Sequence, residues 1–489
     1  MKKSDKSAFM KSFLTPLIAL VLIFFLPSCT EKNKETTVSY WLTNLDGSAL
    51  FEKQRNELVF KDCGDSLPTI AINPEQSFQT MDGFGYTLTG GSAMVINRMS
   101  ADKRDALLKE LFETGDNNIG ISYLRISIGA SDLNERPFSY VELPDGETDE
   151  KLAHFTLDED RKDLIPVLKM ILTINPEIKI LGSPWSAPKW MKTNNDTRGG
   201  SLKPEYFKLY ADYFVKYLNS MQEEGISLDA ITVQNEPLHP GNNPSMFMEA
   251  KDQADFVKNH LGPAFKVAGI KTKIIIYDHN LDRIDYPISI LEDKEAAQYI
   301  DGSAFHLYGG TIEEMSKVHE AFPDKNLYFT EQWVGDIPGG NTVKDVFGWH
   351  MKNMIIGAPR NWAKIVLEWN LASDENLDPH TDRGGCDLCI GAITIQGDSV
   401  TRRPAYYTIA HASKFVRPGS VRIFSNDVSG LSNVAYKTPD NKIVLIVLNE
   451  NEELVKFAVS YKDKSFCANL NAGSGATYVW DDHDFKIAD

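Results

Sequence analysis

Two short stretches place a glutamate where carboxylate chemistry is possible. They are Thr232-Val233-Gln234-Asn235-Glu236-Pro237 and Tyr328-Phe329-Thr330-Glu331-Gln332-Trp333. Each glutamate follows directly on a β-rich run. Two carboxyl groups facing each other across a cleft can split an acetal. One, protonated, gives its proton to the leaving oxygen, and the other, ionised, attacks the anomeric carbon from the opposite face. Retention of configuration needs them ~5 Å apart. The neighbours suit such a site. Asn235 can hydrogen-bond a sugar 2-hydroxyl, a contact that strengthens in an oxocarbenium-like transition state. Trp185, Tyr308, Trp333 and Trp369 offer aromatic faces to the C–H face of a pyranose. Arg125 and His306 can orient an attacking carboxylate and keep it ionised. Taken singly, each has a plain explanation. A glutamate after a strand is usually a solvated loop residue, and a lone tryptophan usually belongs to a core. Tyr277-Asp278-His279 is either a third polar contribution or simply a loop.

What argues for chemistry is the joint placement, and that depends on the elements that carry these residues. From residue 79 to 413 the sequence alternates short apolar runs with amphipathic stretches. Eight strands can be counted, at 83–86, 122–126, 178–183, 230–234, 273–277, 302–306, 326–330 and 364–369. Most are apolar throughout, as strands buried on both faces should be. Helical spacing fills the gaps at 101–112, 163–172, 204–221, 246–267, 312–321 and 343–356, and 404–415 serves as the eighth helix. The pattern predicts an α/β fold, a (β/α)8 TIM barrel, with an open doubly wound sheet as the competing architecture. In a barrel the active site gathers at the C-terminal strand ends. Arg125, Trp185, Glu236, His306, Glu331 and Trp369 all sit at or just past such ends, with Glu236 after the fourth strand and Glu331 after the seventh. Beyond residue 414 the helices stop. Strand-like runs at 421–424, 435–437, 443–448 and 477–480 predict a small antiparallel β domain, which 38–78 completes from the other chain end.

The chain has 489 residues, and its formal net charge of -17 argues against nucleic acid as a partner. Lys2, Lys3, Lys6 and Lys11 precede an apolar run from Phe13 to Leu26, too short for a comfortable membrane span. Leu26-Pro27-Ser28-Cys29 resembles a bacterial lipobox. Residues 1–28 are therefore expected to be a lipoprotein signal peptide, Cys29 the lipidated residue and 29–37 a polar tether. The membrane would be a partner only through that anchor, and the location the cell envelope, at the outer membrane. Cys386 and Cys389 form a C-x-x-C, which in an exported chain reads as a disulfide more readily than as a zinc site. Cys63 and Cys467 fall in the same small domain, which leaves their pairing open.

The sequence as a whole resembles glycoside hydrolase family 30, which includes glucosylceramidases, β-1,6-glucanases and xylan-active enzymes. The marks are MDGFGYTLTGGSAM from Met81, YLRISIGASDL from Tyr123, GSPWSAPKWMKTN from Gly182, TVQNEP from Thr232, FHLYGG from Phe305, YFTEQW from Tyr328, EWNLAS from Glu368 and ASKFVRPGS from Ala412. The resemblance implies a barrel with a β-sandwich, a retaining mechanism and no metal or other cofactor. It implies Glu236 as acid/base and Glu331 as nucleophile. Asp132 and Trp185 match residues that bind the innermost glucose, and Asn235, His306, Tyr308 and Trp369 match other pocket positions. The branch it resembles is that of the glucosylceramidases and β-1,6-glucanases. The stretch from His380 to Ile393 departs from the glucosylceramidase pattern and weighs against ceramide as leaving group. The implied function is endo-acting hydrolysis of β-1,6-glucan. The alternatives are an exo-acting β-glucosidase or glucosylceramidase and, more remotely, a non-catalytic glycan-binding protein.

Overall fold

The computed structural model describes residues 36–64, 66–115, 117–335 and 343–485. The leader, Cys29 and most of the tether lie outside them. Eight parallel strands close into a barrel. We number them β1 (Gly83–Thr87), β2 (Tyr123–Ser127), β3 (Lys179–Ser183), β4 (Ala230–Thr232), β5 (Lys273–Asn280), β6 (Ile300–His306), β7 (Asn326–Glu331) and β8 (Ala363–Asn370). Closure is made by β8 against β1, with Ile365 opposite Gly83, so the open doubly wound sheet is ruled out. The first strand approaches its neighbour closely enough that a side chain at Gly85 would meet the Tyr123 carbonyl oxygen at 1.9 Å. Glycine is what lets the ring close there.

Strand periodicity explains how the barrel turns from core to site. A layer of buried side chains fills the interior, comprising Tyr123, Leu181, Ala230, Ile275, Ala304, Tyr328, Ile365 and Leu367. Residues two further along a strand point the same way. In that next layer, towards the C-terminal mouth, stand Arg125, Ser183, Thr232, His306, Thr330 and Trp369, all buried. The apolar plug is thus capped by a polar layer. Two strands break the period. On β5, Tyr277 and Asp278 both have left-handed backbones, φ 72° and 65°, and the register against β6 shifts there. Between β6 and β7 the register also slips, so that His306 pairs with Glu331. Such bulges re-aim side chains.

The helix at Ala101–Phe112 lies as read from the sequence, and the 246–267 stretch begins later, at Ala250, and runs through a π-turn at Phe256–Leu261. Helices at Gly90–Asn97 and Asp285–Glu292 were not foreseen. In the second layer, a ten-stranded sheet joins Thr37–Thr43 and Thr69–Thr80 to the strands after residue 420. Alternation divides its faces. Ile443, Leu445 and Val447 enter the sandwich interior, while Val444, Ile446 and Leu448 belong to the core shared with the barrel. Two expectations need correction. Strands Val455–Tyr461 and Lys464–Leu470 escaped the sequence reading, and the first pairs parallel with Thr69–Thr80, so the sheet is not wholly antiparallel. Cys63 pairs with Cys467 and Cys386 with Cys389.

Candidate active site

A cavity of about 440 Å3 opens at the C-terminal mouth of the barrel, lined by Asp132, Trp185, Glu236, Tyr308, Glu331, Trp333 and Trp369 among others. Beneath it lies a buried charge network. Arg125 donates through Nη1 to Glu331 Oε2 at 2.6 Å, and through Nη2 to Asn235 Oδ1 at 2.6 Å and Asp278 Oδ2 at 2.8 Å. Asp278 also accepts from Ser183 at 2.8 Å, Thr232 at 2.8 Å and Thr330 at 2.6 Å, and meets His306 Nε2 at 3.1 Å. Burial raises a carboxyl, but here Arg125, His306 and the hydroxyls outweigh it and hold Asp278 far below the usual carboxylate range. The stabilisation it provides is therefore present above the ordinary value of 3.8 and lost only in strong acid. Replacing it tests the network. Asp278→Asn removes the charge that faces Arg125 and should destabilise the fold by about 3–5 kcal/mol, the usual penalty for breaking a buried pair. Urea unfolding measures this, and a loss under about 1 kcal/mol, the level of an exposed pair, would refute the central role given to Asp278.

The two glutamates differ in their donors. Glu331 takes Arg125 on one oxygen and the Tyr308 hydroxyl on the other, at 3.0 Å. Glu236 takes His306 Nδ1 at 3.1 Å. One oxygen of each glutamate and one ring nitrogen of His306 lie within 4.8 Å of one another. That trio has metal-ligand spacing, but the Arg125 cation already neutralises Glu331. The Glu236 backbone is left-handed, φ 43°, and its N–H donates to the Asp278 carbonyl at 3.0 Å. A non-glycine residue in this conformation carries strain that the surroundings must hold. His306 contacts Glu236 and Asp278 directly and stands 3.7 Å from Glu331. It thus bonds Glu236 directly and acts on Glu331 through its charge. Arg125 and Tyr308 are the groups that touch Glu331. Burial disfavours the charged imidazole, yet Glu331, Asp278 and Glu236 raise it to about 9. The resulting stabilisation is complete below the ordinary 6.5 and disappears as pH rises through about 9.

Burial raises the Glu331 carboxyl above its ordinary range, against the pull of His306 and Arg125. At Glu236 burial also raises, but His306, through its hydrogen bond and charge, brings the net value down. Asp132 is pushed up to about 8 by burial first and by the Glu331 charge second, and its Oδ1 has no partner among the described residues. It offers a sugar hydroxyl a buried, unsatisfied acceptor or donor.

The aromatic expectations divide. Trp185 and Trp369 stack on each other at 5.3 Å and on the Arg125 guanidinium, 4.8 Å from the first ring and 5.8 Å from the second. Much of each ring is spent on that stack, so neither is the open platform the sequence led us to expect. Trp333 is half-buried and Tyr308 is 39% exposed, and these two keep free surface. Asn235 Oδ1 is fixed by Arg125, which leaves its amide N–H2 as the group for substrate.

The sequence reading did not name His239, Asn242 or Asn280, which line the cavity, and it left other contributors open. Asp278 and His279 were left between site and loop, because strand alternation would send neighbours to opposite faces. The Cys386–Cys389 bridge lines the cavity as well. The bridge belongs to the long loop after β8, where Cys389–Ile390 pairs with Val334–Gly335 beyond Trp333. Only the C-x-x-C spacing signalled it.

Comparison with known proteins places these features among relatives. The family description "Glycosyl hydrolase family 30 TIM-barrel domain" matches residues 81–416, and "Glycosyl hydrolase family 30 beta sandwich domain" matches 419–478. An endo-1,6-beta-D-glucanase of Neurospora crassa is 34% identical over 414 residues, covering 81% of this chain and 84% of that one. The lysosomal acid glucosylceramidase of Mus musculus is 30% identical, covering 84% and 83%. A solved endo-beta1,6-glucanase superposes with a TM-score of 0.84 at 35% identity, over 91% of this chain and 99% of the other.

Proposed function

The chain belongs to glycoside hydrolase family 30, and from that premise we propose that it is an endo-acting β-1,6-glucanase that works by double displacement through Glu236 and Glu331. The observation that carries the mechanism is the approach of one oxygen from each carboxyl to within 4.8 Å, across a cavity lined by both. That separation suits direct attack by a carboxylate better than the wider spacing by which an inverting enzyme accommodates its water.

The hydrogen-bond donors support this division of labour. The two carboxyls are close and buried, so their titration belongs to the pair. Free-state burial inclines the shared proton towards Glu331. Glu331, however, takes two donors where Glu236 takes one, His306. Arg125 and Tyr308 occupy both oxygens of Glu331, and each favours the ionised form. The proton is then left for Glu236. In the first step Glu331 forms a bond to the anomeric carbon as the glycosidic bond breaks, and Glu236 passes its proton to the departing oxygen. In the second, Glu236 takes a proton from water, the water oxygen bonds to the anomeric carbon, and Glu331 is released. The Asn235 amide is placed to hold the 2-hydroxyl, a bond that tightens as charge develops on the ring.

The linkage rests on likeness to the endo-1,6-glucanases over most of both chains. Linear β-1,6-glucan should therefore be shortened to oligosaccharides early in the reaction, as seen by separating products by size. Glucose alone from the start would mean exo-action, and much faster cleavage of glucosylceramide would overturn the linkage reading.

We also propose that the protein is a lipoprotein held at the outer membrane through Cys29. The basic start, the apolar run and the lipobox-like Leu26-Pro27-Ser28-Cys29 support it. Each buried methylene adds ~0.8 kcal/mol, so several acyl chains would anchor it firmly. Cys29→Ser should move the protein to the soluble fraction on cell fractionation. Its continued retention with membranes would count against lipidation.

A further inference from the structure

The mechanism above uses His306 and leaves a second buried histidine unexplained. His279 lines the cavity, and its Nε2 lies 3.9 Å from Glu236 Oε1. Its other nitrogen, Nδ1, is buried and has no partner among the described residues. Strand alternation alone would not bring it here, since Asp278 beside it already points into the barrel. The left-handed Tyr277 and Asp278 and the slipped register against β6 allow both to face the centre. His239, on the loop that carries Glu236, lines the same cavity and donates its backbone N–H to the Glu236 carbonyl at 2.9 Å. The two histidines thus mark the part of the cavity beside Glu236, the histidine side.

The glycosidic oxygen must meet Glu236, so the sugar that departs lies on the histidine side. We infer that His279 is a specificity-determining residue that hydrogen-bonds the leaving sugar, the first unit beyond the cleaved bond. This rests on the reading of Glu236 as acid/base. The chemistry of the ring suits the task. Burial first, and His306 and His239 after it, lower its value to about 4, so the ring is neutral at ordinary pH and does not compete for the proton Glu236 must deliver. A neutral ring has one N–H, and placing it on Nε2 directs it to the carboxylate and the cavity, where a sugar hydroxyl can accept it.

The test compares two leaving groups on the same glycone. Gentiotetraose offers a sugar beyond the cleaved bond, and phenyl β-gentiobioside offers only an unactivated phenol, which still draws on the Glu236 proton. For His279→Ala, kcat/KM on the tetraose relative to the aryl glycoside should fall at least tenfold from the wild-type ratio. His279→Gln, which keeps an N–H donor, should recover part of that ratio. An equal fall on both substrates, or no fall on either, overturns the proposal. The control is the wild type. If it cleaves the aryl substrate and not the tetraose, the linkage reading fails, and the same ratio is then measured on whichever gluco-oligosaccharide the wild type does cleave.

Discussion

Glu331→Ala should lose turnover on β-1,6-glucan by a factor on the order of 10^5, comparable to removal of the nucleophile in other double-step hydrolases, equivalent to about 7 kcal/mol of transition-state stabilisation. Activated aryl glycosides should fare no better, because a good leaving group does not replace the attacking atom. The substitution also opens space. Arg125 and the Tyr308 hydroxyl, which bond the two oxygens of Glu331 in the native enzyme, are left facing a vacancy of carboxylate size. A small anion suits that vacancy. Azide should enter it, attack the anomeric carbon directly and displace the leaving group in one inversion, giving an α-configured glycosyl azide. Proton NMR of the anomeric position reads the result. A β-configured azide from this variant would mean that a covalent intermediate still forms on another group, and the nucleophile assignment would be lost.

Much of this site is legible in the sequence for a simple reason. Where a strand keeps period two, an apolar layer residue announces the functional residue two positions on, as Tyr123 announces Arg125 and Ala304 announces His306. The barrel and its eight strands follow from that regularity, and Glu236 and Glu331 are legible because each comes at or just past a strand end. The misses lie where regularity fails. Asp278 stands three positions beyond Ile275, reached through two left-handed residues that no apolar pattern marks. His279 follows it through the same bulge. Trp185 and Trp369 were legible as rim residues, but their stacking on Arg125 depends on three strands converging. The sandwich strands Val455–Tyr461 and Lys464–Leu470 were hidden because Lys456, Lys462 and Lys464 interrupt what is otherwise a hairpin of alternating faces. Local propensity gives way there to cross-strand packing.

Glu236→Ala should separate the two halves of the reaction. On β-1,6-glucan the departing group is an alkoxide unless protonated, so the loss should be about 10^2–10^4-fold, the usual contribution of a general acid. A dinitrophenyl glycoside needs little protonation, and its attack by Glu331 should survive. The enzyme would then accumulate as a covalent glycosyl ester, because the same carboxylate that gives the first proton removes one from water in the second step. A burst of phenol followed by slow release is the expected trace. Azide needs no base and should attack the ester from the face that Glu236 vacated. Two inversions then give a β-configured azide, opposite to the product of Glu331→Ala. The pH profile should change in step. In the wild type, kcat/KM falls on the acid side as Glu331 gains a proton and on the alkaline side as Glu236 loses one. With the activated substrate, the alkaline limb should disappear in Glu236→Ala while the acid limb remains, since Arg125, Tyr308 and His306 still surround Glu331. Retention of the alkaline limb would show that another group supplies the proton. An exchange of azide configurations between the two variants would reverse the roles of the carboxylates.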